Sequence, residues 1–306
     1  MKRKRLRAST GKPKCYRCEK TVTRSGDCAC TDNVCLIHGD SSKILPYFDN
    51  GVFDSIVSDP PYPEVPREYG KLSVLDWFNL TNTVIYNCKR TLTERGSLVF
   101  ILQPNSEKCG KMRPWIWDFM SKWSNDWNVV QDIYWFNTAP SPTIHISRKF
   151  GLLKPSIKYC VWLGSPNCFR QQDAILMDMS FVSLKKASDF SQAKMMSPSG
   201  LHCKSRASFY QRGIQSGGTC PPNVIVVANS NSRAIPSTYR HPARTPSFLA
   251  NWLIRYITPK GGITVDPFCG SGTMLFEARK LGVRALGIEA IKEYCDICSE
   301  KLESIK

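Results

Sequence analysis

The feature of this sequence that most restricts its fold is an alternation of short apolar strands with amphipathic helices. Val34–His38 and Phe53–Ser58 have the composition of strands, and the Gly39-Asp40 turn and a short helix between them complete a β-α-β unit. Ser73 and Asp76 then form a capping box that predicts the start of a longer helix. The alternation predicts an α/β sandwich.

The same alternation continues toward the end of the chain, with one interruption. Further strands are predicted at 97–102, 129–136, 157–163, 263–268 and 284–289, and helices in a Trp-rich stretch at 115–127, at 246–257, at 273–281 and at the end of the chain. Between 165 and 234 the pattern loosens, and only 223–228 resembles a strand. The sequence therefore predicts an N-terminal extension (1–33), two halves of one α/β domain (34–164 and 236–306) and an insertion between them (165–235).

The charge of the chain indicates its partners. There are 42 Lys and Arg against 25 Asp and Glu, which gives a formal net charge of +17 and favours a polyanion. Seven of the positive charges lie among the first fourteen residues, which form either a solvated tail, a phosphate-contacting arm or a nuclear address. The insertion is also basic, because 173–245 carries nine Lys and Arg against three Asp, a net charge of +6.

No apolar run approaches the roughly 20 residues that span a bilayer, and no signal-like apolar segment follows the basic start, so no membrane association is expected. Several of the 14 cysteines lie in apolar stretches, which favours a reducing compartment. We therefore expect the cytoplasm, close to the nucleoid, for a prokaryotic or viral chain, and the nucleus for a eukaryotic one.

Four cysteines form a cluster in the polar N-terminal extension. Cys15, Cys18, Cys28 and Cys30 have the spacing C-x2-C-x9-C-x-C, and four thiolates can close a tetrahedral zinc site. The C-x-C half is less typical than a second C-x2-C. Unpaired thiols, or a ligand set that includes Cys35 or His38, are therefore the alternatives to structural zinc.

A glycine-containing turn indicates a nucleotide-like cofactor. The predicted strand at 263–268 runs into Gly270-Ser271-Gly272 and then a helix, so backbone amides and a helix N-terminus are presented to a ligand. Glu289 ends the next strand, where an acid can bind ribose hydroxyls. Leu275 occupies the place of the third glycine of G-x-G-x-x-G, which argues against a dinucleotide.

The quartet Asp59-Pro60-Pro61-Tyr62 follows a predicted strand at the edge where open α/β sheets bind ligands. Two prolines also end a strand well, but this role does not explain the complete quartet. The amino group of a nucleic-acid base is a poor nucleophile because its lone pair is delocalised. The Asp59 carboxylate and the Pro60 carbonyl can accept its two N–H bonds and localise that pair, while Tyr62 stacks on an extruded base.

Together these segments resemble the DNA methyltransferases that methylate amino groups, N6 of adenine or N4 of cytosine, with S-adenosyl-L-methionine. The resemblance covers about 34–165 and 236–300. Its segments are His38-Gly39-Asp40, Ser58 to Tyr62, His241 to Pro246, Asp266 to Thr273, Gly287-Ile288-Glu289 and, more loosely, 132–148. The catalytic motif precedes the cofactor motif, as in the order called the β group.

The resemblance implies a Rossmann-like, permuted methyltransferase fold in which 165–235 is the target-recognition region. It implies roles for the quartet Asp59, Pro60, Pro61 and Tyr62 in catalysis and for Asp40, Asp266, Phe268, Gly270, Gly272, Glu289 and Thr245 in cofactor binding. Cys269 is expected to line the pocket rather than to act as a nucleophile, since the reaction needs neither a covalent cysteine nor a catalytic metal.

The expected substrate is duplex DNA, and the Asp59 carboxylate favours N6 of adenine over N4 of cytosine because it accepts a stronger hydrogen bond than the serine of many N4 enzymes. Methylation of RNA or of a protein glutamine amide is an alternative. An inert, zinc-dependent DNA-binding protein is a rival from another class.

Overall fold

The computed structural model describes residues 12–67, 70–139, 144–180, 213–229 and 245–304. The chain divides into two compact units. One comprises 1–170 and 223–306, and the other is Gln171–Pro222, which falls inside the predicted insertion. The described part of the smaller unit includes a 3-10 turn at Gln172–Ile175, a bridge between Met177 and Thr219, and a helical turn at 213–215. The α/β domain lies in the larger unit.

Eight strands of the described chain form one sheet, and two more form a separate hairpin. The strands are β1 (Val34–His38), β2 (Phe53–Ser58), β3 (Leu92–Leu102), β4 (Ser106–Lys108), β5 (Lys111–Met112), β6 (Val129–Phe136), β7 (Ile157–Gly164), β8 (Val224–Val226), β9 (Ile263–Asp266) and β10 (Arg284–Glu289). The order in the sheet is β1-β10-β9-β2-β3-β7-β6-β8, and β4 pairs with β5. Strands β1, β10, β9, β2 and β3 are mutually parallel, whereas β7 is antiparallel to both of its neighbours.

Seven α-helices are described. They are α1 (Ser41–Ile44), α2 (Val74–Thr91), α3 (Trp115–Asp126), α4 (Ile144–Lys149), α5 (Ser247–Ile257), α6 (Thr273–Lys280) and α7 (Lys292–Glu303). A 3-10 turn, Leu45–Tyr47, extends α1. The capping box is confirmed, because the Ser73 side chain accepts a hydrogen bond from the backbone N–H of Asp76 at the start of α2.

Helices cover both faces of the sheet, which explains why successive residues of β2, β3 and β10 are buried rather than alternate ones. On one face, α2 and α3 contribute an aromatic cluster in which the rings of Trp77 and Trp115 lie 4.7 Å apart. On the other, Tyr256 of α5 packs at 5.2 Å against Trp162 of β7. In the described part of the chain, no helix is long and apolar enough to cross a membrane.

The predicted α/β fold is confirmed, and most predicted elements are present with small shifts of their ends. Strand β3 begins at Leu92 rather than at 97, because Leu92 already pairs with Phe53 as α2 ends. Strand β9 ends at Asp266, two residues before the predicted end, since Pro267 and Phe268 already belong to the turn. The β4–β5 hairpin and α4 were not predicted.

Candidate active site

The two sequence motifs lie at the carboxyl ends of neighbouring parallel strands. Ser55 and Ile56 of β2 pair with Thr264 and Val265 of β9, so the quartet that follows β2 and the glycine turn that follows β9 are adjacent. Both motifs line one cavity of about 250 Å³. This is the position at which open α/β sheets bind ligands.

The Asp59 carboxylate is held by three side chains from separate parts of the chain. The Tyr62 hydroxyl donates to Oδ1, and Thr245 Oγ1 donates to Oδ2 at 3.0 Å. Lys158 Nζ lies 3.8 Å from the same Oδ2 and forms an ion pair with it. The Asp59 side chain is 17% exposed. The three contacts therefore fix its orientation and leave it accessible from the cavity. Each oxygen has a second lone pair with which to accept a further N–H.

Lys158 is a site residue that the sequence analysis missed. Its side chain is 8% exposed, its Nζ donates to the Tyr62 hydroxyl at 3.3 Å, and it lies 4.5 Å from the centre of the Trp135 ring. A lysine is rarely this buried without a partner, and here it has a carboxylate, a hydroxyl and two aromatic faces. The sequence feature that could have pointed to Lys158 is the presence of a lysine within the predicted apolar strand at 157–163.

The loop that carries the quartet is fixed by a tryptophan of α2. Trp77 Nε1 donates to the Pro61 carbonyl at 2.5 Å, and Trp77 itself is fully buried. The two prolines restrict the backbone dihedral angles further. The Pro60 carbonyl therefore belongs to a backbone segment that is held in place before any substrate arrives.

The glycine turn is tied to the next strand by Glu289. One carboxylate oxygen accepts from the Gly270 backbone N–H and the other from the Ile291 backbone N–H, each at 2.8 Å. Burial raises the pKa of this carboxyl, while the two backbone donors oppose that shift. Glu289 lines the cavity, and its carboxylate can accept further hydrogen bonds from hydroxyl groups there.

Phe268 and Asp40, which the sequence analysis assigned to cofactor binding, also line the cavity. Phe268 packs edge-on at 6.2 Å against Phe100 of β3. The Asp40 carboxylate caps α1 by accepting from the Ser42 backbone N–H at 3.0 Å. The cavity is completed by residues to which the sequence analysis gave no role: Ser41, Arg67, Leu72, Leu80, Pro267, Ile288, Ala290, Ile291 and Tyr294.

Three predicted cofactor residues lie outside the cavity lining. Asp266 is buried behind it, where it accepts from Ser58 Oγ at 2.5 Å and from the Phe268 N–H at 3.1 Å. Burial raises the pKa of Asp266 to about 7. Asp266 thus joins β2 to the turn after β9 instead of facing the cavity.

Gly272 and Thr245 are the other two predicted cofactor residues that lie outside the cavity lining. Gly272 has a φ of 75°, and a Cβ there would lie 2.2 Å from the Cys298 sulfur of α7, so this glycine serves close packing of the turn. Thr245 contacts Asp59, as described above. Residues 241–244 of its motif lie outside the described residues, as does most of the N-terminal arm.

The four predicted metal ligands come together away from this cavity. The sulfur atoms of Cys15, Cys18, Cys28 and Cys30 all lie within 4.8 Å of one another. Cys269, by contrast, is buried in the glycine motif, and the neighbouring Cys298 together with burial raises the pKa of its thiol. That shift disfavours the thiolate, in keeping with a pocket-lining role.

These features define the S-adenosyl-L-methionine-dependent methyltransferase class: a large, mostly parallel sheet, a glycine turn with an acid at the end of the next strand, and a neighbouring Asp-Pro-Pro-Tyr motif. The model of the N6/N4 methyltransferase family, described as DNA methylase, matches residues 53–300. The chain therefore belongs to this family of DNA methylases. Its cofactor is S-adenosyl-L-methionine, and the amides, acids and apolar walls of the cavity fit that molecule.

Curated relatives and solved structures agree with this assignment. The chain is 25% identical over 281 residues to the type II methyltransferase M.ScaI of Streptomyces caespitosus, covering 90% of this chain and 83% of that protein. It is 26% identical over 285 residues to M.PvuII of Proteus hauseri, covering 86% and 82%.

Among solved structures, the PvuII DNA methyltransferase (cytosine-N4-specific) matches with a TM-score of 0.66 at 18% identity, covering 90% of this chain and 88% of that one. A putative DNA modification methylase of Thermus thermophilus, TTHA0409, solved with S-adenosyl-L-methionine, matches with a TM-score of 0.52 at 19% identity, covering 88% and 95%. These two matches show the shared fold.

Proposed function

We propose that this enzyme methylates the exocyclic amine of a base taken out of duplex DNA, and that the base is adenine, at N6. The observation that carries the proposal is the placement of Asp59 beside Phe268 and Glu289. An oriented carboxylate and the residues expected to hold the methyl donor line one cavity. The cavity therefore combines a hydrogen-bond acceptor for the amine with a site for the methyl donor.

The quartet would act on the amine by hydrogen bonding. The Asp59 carboxylate accepts one N–H and the Pro60 carbonyl the other, which localises the lone pair on nitrogen. As positive charge builds up on nitrogen, the carboxylate stabilises it. When bound, S-adenosyl-L-methionine would supply an electrophilic sulfonium methyl group, whose bond to sulfur breaks as the bond to nitrogen forms, so that a neutral thioether leaves and the methylated amine releases one proton to solvent. Phe268 and Glu289 would hold the cofactor in the same cavity as Asp59, and positioning the two reactants provides much of the rate.

Lys158 and Tyr62 would keep the acceptor in the required orientation. They contact Asp59 from the side of β7 and of the quartet loop, so they oppose rotation of the carboxylate. A fixed carboxylate needs no reorganisation when charge develops, which is the main advantage of a preorganised polar site. Lys158 is therefore proposed as a positioning residue.

The substrate is proposed to be duplex DNA with the target base extruded. Inside the duplex an exocyclic amine cannot reach a cavity of this kind, so base flipping is required. The net charge of +17 supports binding to a phosphate backbone. We assign target recognition to 165–235, which interrupts the sequence between the two halves of the site and carries basic residues.

Cytosine N4 is the second candidate base. M.PvuII is 26% identical to this chain, and the solved PvuII methyltransferase is described as cytosine-N4-specific. Adenine is preferred because many cytosine-N4 enzymes carry serine where this chain has Asp59, and a carboxylate accepts a charge-assisted hydrogen bond that is roughly twice as strong as a neutral one. Both bases present an amine next to a ring nitrogen, so the chemistry at Asp59 is the same for either.

The test is to methylate a duplex DNA of mixed sequence, digest it to nucleosides and measure their masses. N6-methyladenine is the expected product, and N4-methylcytosine in its place would overturn the choice of base. An RNA duplex and a glutamine peptide assayed in parallel should stay unmodified. The control variant is Asp118→Ala, because Asp118 is exposed on α3 and should leave the product and its rate unchanged.

A further inference from the structure

The cysteines of the N-terminal extension have the spacing of a metal site. The Sγ–Sγ distances are 3.6 Å between Cys15 and Cys30, 3.7 Å between Cys18 and Cys28, and 3.4 Å between Cys28 and Cys30. Zinc–sulfur bonds of about 2.3 Å in a tetrahedron place the sulfurs about 3.8 Å apart. None of the cysteines that the structure describes is in a disulfide.

The segment around these cysteines has little regular secondary structure, although Cys15 and Val22 are buried in the hydrophobic core. We call residues 12–33 the cysteine knuckle. Its only described regular pairing is a bridge between Lys14 and Thr21. A tight turn follows Cys18, where Glu19 has a positive φ of 57° and donates its N–H to the Cys15 carbonyl at 2.9 Å. A few turns of this kind rarely order a polar segment by themselves, whereas a metal can.

The cysteine knuckle covers the free edge of the sheet. Strand β1 is the outermost strand, so its outer carbonyls would have no partner in the sheet. The backbone N–H of Tyr16 donates to the Leu36 carbonyl at 2.6 Å, and Arg17 Nη1 donates to the Val34 carbonyl at 2.9 Å. Both donors lie between the first two cysteines, so their position depends on the turn that those cysteines hold.

Arg17 and Tyr16 also connect the cysteine knuckle to the helices on the same side. Arg17 forms a bidentate pair with Asp32, at 2.9 and 2.8 Å. Asp32 in turn lies 3.4 Å from Arg279 of α6. The Tyr16 hydroxyl donates to Asp296 of α7.

The contacts of the cysteine knuckle lead to the wall of the cofactor cavity. The ring of Tyr16 lies 6.0 Å from that of His38, at the carboxyl end of β1. His38 Nε2 is 3.2 Å from the carbonyl of Ala290, which lines the cavity. The cavity wall is thus supported from outside by residues that the cysteine cluster positions.

We propose that Cys15, Cys18, Cys28 and Cys30 bind one zinc ion, and that this ion fixes the cysteine knuckle against the edge of β1 and so supports the cofactor cavity. The site is structural. Four protein ligands close the tetrahedron and leave no open position for a substrate or water. The zinc proposal does not depend on which base the enzyme methylates, because it rests on the packing of the N-terminal extension.

The primary test is the metal content of the purified full-length protein, measured by elemental analysis and native mass spectrometry before and after chelation. The expected result is one zinc per chain. Replacement by Co²⁺ should give the absorption of a tetrahedral thiolate site. A protein free of zinc, or one that holds iron in its place, would overturn the proposal, and this measurement on the wild type does not depend on any variant folding.

The ligand set is tested with serine substitutions. Cys18→Ser and Cys30→Ser should lose the zinc, whereas the controls Cys109→Ser and Cys220→Ser, at exposed cysteines outside the cluster, should retain it. Cys35→Ser should also retain it. Loss in the Cys35 variant with retention in the Cys30 variant would refute the assigned ligands.

The supporting role is tested by hydrogen exchange and cofactor binding in the wild type before and after chelation. Removal of zinc should speed amide exchange in the peptide that contains β1 and weaken cofactor binding several-fold. The peptide that contains β7, far across the sheet, is the internal control and should not change. Unchanged exchange in β1 after the zinc has left would contradict the supporting role.

Discussion

The buried carboxyl of Asp266 should make the stability of the enzyme depend on pH. Burial raises its pKa from an ordinary value of 3.8 to about 7, so the folded protein binds this proton more tightly than the unfolded chain does. The free energy of unfolding should therefore fall as pH rises from about 4 to about 7, and stay level above that. The full effect is about 4 kcal/mol, because each pKa unit corresponds to about 1.4 kcal/mol.

The Asp266→Asn variant isolates this contribution. An amide Oδ1 can still accept from Ser58 Oγ and from the Phe268 N–H, so the local hydrogen bonds are kept while the buried charge is removed. Between pH 5 and pH 8 the free energy of unfolding should fall by about 2–3 kcal/mol more in the wild type than in the variant. Burial also raises the pKa of Glu289, which is present in both proteins and leaves a residual slope in each.

The assay is urea unfolding of both proteins without cofactor at several pH values, with Asp118→Asn on the exposed surface of α3 as the matched control. The free energy of unfolding of the control should depend on pH in the same way as that of the wild type. Parallel curves for the wild type and Asp266→Asn would refute the argument, because they would show that ionisation of Asp266 costs the folded protein nothing.

Three further predictions follow from the site and the charge distribution. Phe268→Ala should weaken cofactor binding by about 1–2 kcal/mol, roughly tenfold, in a calorimetric titration, since it removes an apolar wall of the cavity. Lys158→Met should lower single-turnover methyl transfer about tenfold or more with unchanged cofactor affinity, whereas Lys149→Met, at an exposed lysine of α4, should change neither. Deletion of residues 1–14 should weaken DNA binding and flatten its salt dependence without changing sequence preference, because Lys and Arg side chains contact phosphates rather than base edges. A changed preference with the same salt slope would contradict this.

Much of the fold could be predicted because its signals are local. The bounds of β1, β2 and β10 follow from short apolar runs closed by polar or glycine residues, and Ser73 caps α2 as its spacing indicates. The β4–β5 hairpin was missed because its strands of two and three residues show no periodicity. The start of β3 was missed because pairing with β2, a tertiary contact, extends it to Leu92.

The residues of the candidate site likewise include some that the sequence reveals and some that only the fold brings together. Asp59 to Tyr62 and the glycine turn could be recognised because their chemistry requires adjacent residues. Lys158 and Trp77 could not, since a residue on β7 and one on α2 reach the quartet only through the order of the strands. Asp266 was assigned to the cofactor because it lies in the motif, but a position at the end of a buried strand also allows it to bond Ser58 on the neighbouring strand.

The most direct test of the account is a paired measurement on Asp59→Ala: cofactor affinity by calorimetry, and single-turnover methyl transfer to duplex DNA on the same preparation. Asp59 is proposed to touch the amine and not the methyl donor, so transfer should be lost while the dissociation constant of S-adenosyl-L-methionine stays within a few-fold of the wild type. Methyl transfer at the wild-type rate, or an equal loss of transfer and cofactor affinity, would contradict the assignment of Asp59 as the residue that binds the amine.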